Sequence, residues 1–223
     1  MKRIIHKYRH AWVLLYVFLY LPWFFYLERT VTTQYHIIHV SLDDYIPFNE
    51  YFIIPYLFWF IYVAGTVMYF FFKDKHDFYR LCAFLFTGMT ISLLICTFYP
   101  NGTDFRPAVD PDKNIFCALV AMIQHADTCT NVLPSIHVYN SIGVHISIMN
   151  SERLQEKHWL HRASFIAMTA ICLSTVFLKQ HSVIDGLASI TMAYCLYDVI
   201  YGHVYESSRR RAAEKVAQKV AES

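Results

Sequence analysis

The sequence predicts an all-α membrane protein, a bundle of six transmembrane helices, and three observations support this fold class. Of the 223 residues, 56% are hydrophobic and only 16% are charged, below the roughly 25% of an average soluble domain. The apolar residues form long blocks, and residues 51–72 contain no charged side chain. A helix needs about 20 apolar residues to cross a bilayer, which these blocks approach or reach. The third observation is the alternation of basic residues between the two ends of the blocks.

The six apolar blocks predict the individual spans. The fourth and fifth are short, so flanking residues must help them cross or the bilayer must thin locally. The first block follows a basic start and has no small-residue cleavage site after it, which predicts a retained signal anchor. The predicted spans are Ala11–Tyr26, Tyr51–Phe72, Leu81–Tyr99, Ser135–Met149, Ala163–Leu178 and Val183–Val204.

The distribution of lysine and arginine predicts that both termini are cytoplasmic. Cytoplasmic segments of membrane proteins carry an excess of these residues. The N-terminal segment, the loops after spans two and four, and the tail carry four, three, three and five of them, which is 15 of the 19. We therefore expect one transmembrane domain over residues 1–206 and a basic cytoplasmic tail over residues 207–223, in the plasma or inner membrane. Because the lysine and arginine residues are distributed by side of the membrane, they give no support to nucleic-acid binding.

Two cysteines in the predicted outer loop leave a disulfide open. Cys117 and Cys129 are twelve positions apart, on the side of the membrane that permits disulfides. A bridge and two free thiols are both compatible with this spacing. The other four cysteines fall within or beside spans and are expected to be small packing residues.

Three groups of polar residues fall at the same predicted outer interface. They are residues 104–107 after the third span, residues 131–137 entering the fourth, and residues 174–185 between the fifth and sixth. Polar and ionisable residues at membrane depth are costly and usually functional. Their agreement in position predicts one site at the outer face.

The residue types in these groups suit the binding of phosphate. Arg106 offers a planar fork of donors that matches phosphate oxygens. Ser135 follows a proline at the expected start of the fourth helix, where a serine caps well and free backbone N–H groups form an anion site. His137 lies in that first turn. His181 and Asp185 are four residues apart, so on a helix they share a face and the carboxylate can orient the imidazole.

Together the groups resemble the three motifs of the type 2 phosphatidic acid phosphatase superfamily of membrane lipid phosphatases. Those motifs are Lys-x6-Arg-Pro, Pro-Ser-x-His and Ser-Arg-x5-His-x3-Asp. The matching residues are Arg106-Pro107, Pro134-Ser135-Ile136-His137, and Ser174 with His181 and Asp185. The motifs cover residues 99–185, and six spans with an outward-facing site are also what the resemblance implies.

The resemblance implies a role for each matching residue. His181 would be the nucleophile that forms a phosphohistidine, and Asp185 would orient and stabilise it. His137 would protonate the leaving lipid oxygen and then deprotonate the incoming water or alcohol. Arg106 and Ser135 would hold the phosphate together with the backbone N–H groups through Ile136. The chemistry would need no metal or other cofactor, and its partner would be a membrane lipid with a phosphate headgroup.

Two positions depart from the family pattern. Tyr99 stands where the first motif has lysine, and Thr175 stands where the third has arginine. Fewer cations suit a phosphate diester, with one negative charge, better than a monoester with nearly two. Lys179 is a candidate replacement because it lies just before His181. The serine–threonine pair and the stretch over residues 43–48 look similar to the branch that contains inositol phosphorylceramide synthases.

Three functional hypotheses follow. The first is a phosphatase that acts on a lipid phosphate or diphosphate. The second is a lipid phosphotransferase that passes a phosphoryl-headgroup to a lipid alcohol. The third is a non-catalytic lipid-phosphate binder or transporter, which the missing cations favour and the intact His137, His181 and Asp185 oppose. We favour hydrolysis because it is the commoner activity of the superfamily that the chain resembles.

The remaining histidines and aromatic residues predict structural roles. His145 lies eight residues after His137, about 80° further round a helix, and is expected to pack within the bundle. His36 and His39 flank apolar residues and are expected to pack at the interface. Trp59 is expected to belong to a lipid-facing aromatic belt.

Overall fold

The computed structural model describes residues 8–221 of the chain, with side chains as far as residue 202. This part of the chain is mainly helical. Two 3-10 segments, Arg9–Tyr16 and Glu50–Phe52, run directly into longer helices. The helices are α1 (Val17–Thr30), α2 (Ser41–Tyr45), α3 (Ile53–Lys73), α4 (Lys75–Phe98), α5 (Ile115–Ala126), α6 (Ile136–Asn150), α7 (His158–Phe177) and α8 (Val183–Ala221).

Within the described residues, five helical stretches are long and apolar enough to cross a membrane. They agree with the first, second, third, fifth and sixth predicted spans. The fourth predicted span also forms a helix, but α6 has only 15 residues. At 1.5 Å per residue it extends about 22 Å, less than the hydrocarbon core of about 30 Å. The five stretches are Arg9–Thr30, Glu50–Lys73, Lys75–Phe98, His158–Phe177 and Val183–Gly202.

Helix α6 is the central helix of the bundle and packs against α3, α4, α7 and α8. Nine of its 15 residues are buried, including Tyr139. The Tyr139 ring lies so close to Gly88 that a Cβ there would come within 2.1 Å of it. The Tyr139 hydroxyl donates to the Phe84 carbonyl at 2.8 Å. Because α6 is surrounded by protein, its polar residues find partners inside the bundle, as Ser147 does with Tyr201 at 2.5 Å.

The outer surface of the bundle is apolar. Phe18, Phe98 and Tyr194 are each at least 75% exposed, and they belong to three different candidate spans. Large exposed apolar surfaces on a soluble protein mark a contact, whereas on membrane helices they face lipid. This pattern supports the membrane class predicted from composition.

The segment between α4 and α6 contains a helix that the sequence pattern did not predict. Helix α5 is capped by Asn114, whose side chain accepts from the Cys117 N–H at 2.8 Å. Its buried face packs against Tyr56 on α3 and Leu178 beyond α7. Next to it, Lys113 forms a salt bridge with Glu50 at 2.8 Å. The segment between α4 and α6 is therefore folded and packs on one end of the bundle.

The two cysteines of this segment are free thiols in the structure. Cys117 is buried on α5, while the Cys129 sulfur lies 3.9 Å from the Tyr35 hydroxyl. The structure therefore has the unbridged alternative, because the fold packs Cys117 into the apolar face of α5 and Cys129 against a different element.

At the other end of the chain, α8 continues to Ala221 without interruption. The predicted boundary between a transmembrane domain and a tail at residue 206 therefore falls inside one helix. The apolar candidate span within it ends at Gly202.

Candidate active site

The start of α8 brings His181 and Asp185 together. The two side chains are four residues apart, and His181 Nδ1 lies 3.3 Å from Asp185 Oδ2. The Asp185 carboxylate is fully buried and also accepts from the Ser182 N–H at 2.9 Å. Because one ring nitrogen faces the carboxylate, Nε2 is the His181 atom that remains to meet a substrate.

Asp43 holds the loop before α8 in place. Its buried carboxylate accepts from the Ser182 hydroxyl at 2.6 Å and from the Val183 N–H at 2.9 Å. Its backbone carbonyl accepts from the Lys179 ammonium. Lys179 itself has a left-handed backbone with φ of 58°, and its ammonium lies 5.7 Å from the centre of the Phe105 ring. Lys179 is therefore engaged by the protein in this structure, and the predicted role in binding phosphate stays a prediction.

The second motif lies at the start of α6. Ser135 is the N-cap residue, as predicted, and its hydroxyl oxygen accepts from the Val138 N–H at 3.5 Å. The Ser135 carbonyl accepts from the Ser189 hydroxyl at 2.8 Å, which ties the start of α6 to α8. The N–H groups of Ile136 and His137 precede the first intrahelical bond, so helix geometry gives them no intrahelical partner. Such a helix end favours an anion.

His137 and His181 face each other across the two helix starts. Their ring centres are 5.7 Å apart. His137 also packs against α3, with the centre of the Tyr56 ring at 4.6 Å and that of the Trp59 ring at 4.4 Å. Trp59 is therefore part of the site, because α3 turns this side chain toward α6; it is only half-buried, and its place in a lipid-facing belt stays a prediction.

Arg106 lies beside Asp127, a residue that the motifs did not include. Arg106 Nη1 donates to the Asp127 carbonyl at 2.7 Å, and Nη2 lies 4.0 Å from the carboxylate. Burial raises the pKa of the Asp127 carboxyl, and the positive charge of Arg106 opposes that rise. Arg106 also interacts electrostatically with His137, and Asp127 does so with His181. The charge of Arg106 thus acts on His137, one of the two histidines.

Two buried polar residues hold the loops around the site. The Asn101 side chain accepts from the N–H groups of Val132 and Leu133 at 3.0 and 2.8 Å, which fixes the approach to α6. The Glu28 carboxylate accepts from Thr128 at 2.6 Å and from the Asn131 amide at 2.8 Å. These bonds join segments up to 103 residues apart in sequence.

Tyr99 and Thr175, which stand where the resembling motifs have lysine and arginine, provide no positive charge. Tyr99 stacks on His36 with ring centres 4.2 Å apart, and it is 43% exposed. Thr175 is fully buried, and its hydroxyl donates to the Cys172 carbonyl of its own helix at 2.8 Å. Tyr99 and Thr175 therefore add no positive charge to the site, whose candidate cations remain Arg106 and Lys179.

Motif reasoning missed four residues that shape the site: Tyr56, Trp59, Asp127 and Glu28. One signal was available, because Tyr56 and Trp59 are three apart and share a helix face. Asp127 and Glu28 carry no local signal, since each reaches its partners through a contact distant in sequence.

His145 has the packing role predicted for it. It lies further along α6 than His137, and its Nδ1 is 2.9 Å from the Ser164 hydroxyl on α7. The Ser164 hydroxyl also lies 2.6 Å from the Tyr62 hydroxyl, so the three residues form a small polar cluster inside the bundle.

Comparison of the chain with protein-family models, with curated proteins and with solved structures found no match in any of the three. The functional argument therefore depends on the residues of the site and on their geometry.

Proposed function

We propose that the chain is an integral membrane phosphatase that hydrolyses a lipid phosphate or diphosphate through a phosphohistidine on His181. One observation carries the proposal: a histidine paired with a buried carboxylate faces a second histidine at a helix start, with ring centres 5.7 Å apart. A nucleophile with an orienting group, opposite a candidate acid, is the arrangement that covalent catalysis requires. Arg106 adds a donor fork beside them.

His181 and His137 each act once in both half-reactions of the proposed mechanism. In the first, Nε2 of His181 attacks phosphorus, the bond from phosphorus to the lipid oxygen breaks, and His137 donates its proton to that oxygen. In the second, His137 takes a proton from water as the water oxygen attacks phosphorus and releases His181. Asp185 stabilises the positive charge on the His181 ring, and Arg106 stabilises charge on the phosphoryl oxygens.

A lipid phosphotransferase is the second candidate, in which a lipid alcohol replaces water in the second half-reaction. The charge of the site favours it. Tyr99 and Thr175 provide no cation, and the Asp127 carboxylate lies 4.0 Å from Arg106. A site with so little positive charge suits the single charge of a phosphate diester, which is the donor that such a transfer uses.

Product analysis distinguishes these functions. The purified chain in lipid nanodiscs would be given a phosphate monoester lipid, a diphosphate lipid and a phosphodiester lipid, each with and without diacylglycerol or ceramide. Release of inorganic phosphate supports the phosphatase, and a new phospholipid supports the transferase. His181→Ala protein is the matched control. Binding of these lipids with no product above that control would instead support a non-catalytic binder or transporter.

We further propose that α6 completes six spans, with both termini in the cytoplasm and the site at the outer face of the plasma or inner membrane. The protein surrounds α6 on several sides, so its short length is compatible with a crossing inside the bundle. His10 Nε2 lies 3.0 Å from the Phe71 carbonyl, so the start of the first helical stretch lies beside the end of α3. Both are expected on the cytoplasmic side.

Cysteine labelling tests this topology. Asp112 and Lys157 are both exposed and lie in loops that the proposal puts on opposite sides. In a Cys129→Ser background, Asp112→Cys should react with a membrane-impermeant maleimide in intact cells. Lys157→Cys should react only after permeabilisation, and the background protein sets the signal from native thiols. The reverse pattern would contradict the proposed orientation.

Arg106→Lys is expected to lower kcat/KM by about 10²-fold or more, because removal of a preorganised donor to a transition-state oxygen typically costs that much. Lysine keeps the charge but loses the planar fork that reaches two oxygens. The measurement is steady-state turnover of the best lipid substrate. Arg29→Lys is the control, since Arg29 is exposed and outside the site. Near-normal turnover by Arg106→Lys would remove Arg106 from the phosphate site.

A further inference from the structure

The His137 ring packs against two aromatic side chains of α3. Its centre is 4.6 Å from that of Tyr56, with the planes at 29°, and 4.4 Å from that of Trp59, with the planes at 47°. Tyr56 and Trp59 are three residues apart, so both project from one face of α3. Tyr56 is 2% exposed and His137 is 8% exposed, so the contact is shielded from solvent.

The two histidines of the site are held by different means. His181 has a carboxylate at hydrogen-bond distance from Nδ1. The His137 Nδ1 is buried and has no hydrogen-bond partner among the described residues. A ring without such a bond is oriented by what packs against its faces. Within the described part of the chain, no carboxylate lies at hydrogen-bond distance from this nitrogen.

We propose that Tyr56 and Trp59 are positioning residues for His137, which orient its ring toward the leaving oxygen and stabilise the protonated ring by cation–π contact. The proposal rests on the proposed function, in which His137 is the acid. Both ring centres lie within the 6 Å over which an aromatic face attracts a cation. The aromatic faces thus orient the His137 ring and stabilise its charge, as Asp185 does for His181. They act by packing and quadrupole attraction, whereas Asp185 acts through a hydrogen bond.

The test compares two leaving groups. A lipid alkoxide must be protonated as it leaves, whereas 4-nitrophenolate leaves without a proton. Trp59→Leu should lower kcat/KM for the lipid phosphate by about 10- to 100-fold, the scale of loss when a catalytic group is misplaced by about 1 Å. The loss of kcat/KM for the 4-nitrophenyl ester, which reports only the first half-reaction, should be several-fold smaller because that step needs no proton from His137. Trp59→Phe keeps an aromatic face and should recover most of the lost activity, and Tyr56→Leu and Tyr56→Phe should behave as the same pair.

Trp159→Leu is the matched control, because Trp159 is 69% exposed and lies on α7 away from the site. It should leave turnover of both substrates unchanged. Equal losses on both substrates in Trp59→Leu would overturn the inference, because that result indicates general disturbance of the site. Failure of Trp59→Phe to recover activity would overturn it too.

A double-mutant cycle separates this inference from the proposed function. If Trp59 acts through His137, adding Trp59→Leu to His137→Ala should cause little further loss, since residues that act through one another are not additive. Fully additive losses would overturn the inference and leave the proposed function standing. Absence of turnover by the wild-type protein on every lipid phosphate and on the aryl ester would overturn the proposed function, and the positioning role would fall with it.

Discussion

His181→Ala protein is expected to lose both turnover and the ability to form a phosphorylated enzyme. The only proposed atom that bonds to phosphorus is Nε2 of His181, and alanine has no group to replace it. The intermediate would be detected by acid-quench labelling with a phosphorus-labelled lipid substrate, because a phosphohistidine forms in the first half-reaction. Label retained on His181→Ala protein, or robust turnover by it, would contradict the mechanism.

Asp185→Asn is the companion variant that tests how His181 is supported. Asp185 makes no bond to substrate, but its Oδ2 lies 3.3 Å from His181 Nδ1 and 2.9 Å from the Ser182 N–H. Asparagine keeps the size of the side chain and loses its charge. Turnover should fall by about 10²- to 10⁴-fold, the usual range for acid–base and orienting groups, while slow phosphorylation of His181 remains detectable. Unchanged turnover would show that the buried carboxylate has only a structural role.

The main helices could be predicted from the sequence because the bilayer imposes a strong local requirement. Long apolar blocks with charged ends can adopt few structures other than a helix in a bilayer, and each of the six blocks forms a helix. The contact between His181 and Asp185 was predicted from a shared helix face, but His181 precedes α8, and it is the turn at the helix start, where Asp185 accepts from the Ser182 N–H, that brings the two together. The convergence of residues 104–107 with the two helix starts followed from topology, because all three segments close the same end of the bundle.

What could not be predicted depends on contacts between residues far apart in sequence. Asp127 enters the site because Arg106 donates to its carbonyl, and Glu28 fixes the neighbouring loop through Asn131, 103 residues away. Neither bond leaves a periodic or motif signal. Helix α5 is a further case, since a mainly apolar segment of 12 residues is too short for a span and did not stand out from a loop.

His137→Ala is expected to have an effect that depends on the leaving group. His137 lies 5.7 Å from His181 between ring centres, at the start of α6, and it is the proposed acid for the lipid oxygen. With a lipid phosphate, the variant should be almost inactive, by about 10²- to 10⁴-fold, because an alkoxide leaves poorly without a proton. With a 4-nitrophenyl ester, the leaving group needs no proton, so the first half-reaction should still phosphorylate His181.

The second half-reaction should then fail, because His137 is also the base that activates water or alcohol. The variant should therefore accumulate a phosphorylated enzyme and release about one equivalent of 4-nitrophenolate in a burst, followed by slow turnover. Rapid-quench measurement of the burst checks this, and His145→Ala is the control, since His145 lies on the same helix and contacts Ser164. Equal loss on both esters without a burst would show that His137 serves phosphate binding or packing instead of proton transfer. Continued rapid turnover on the lipid substrate would remove the acid–base role altogether.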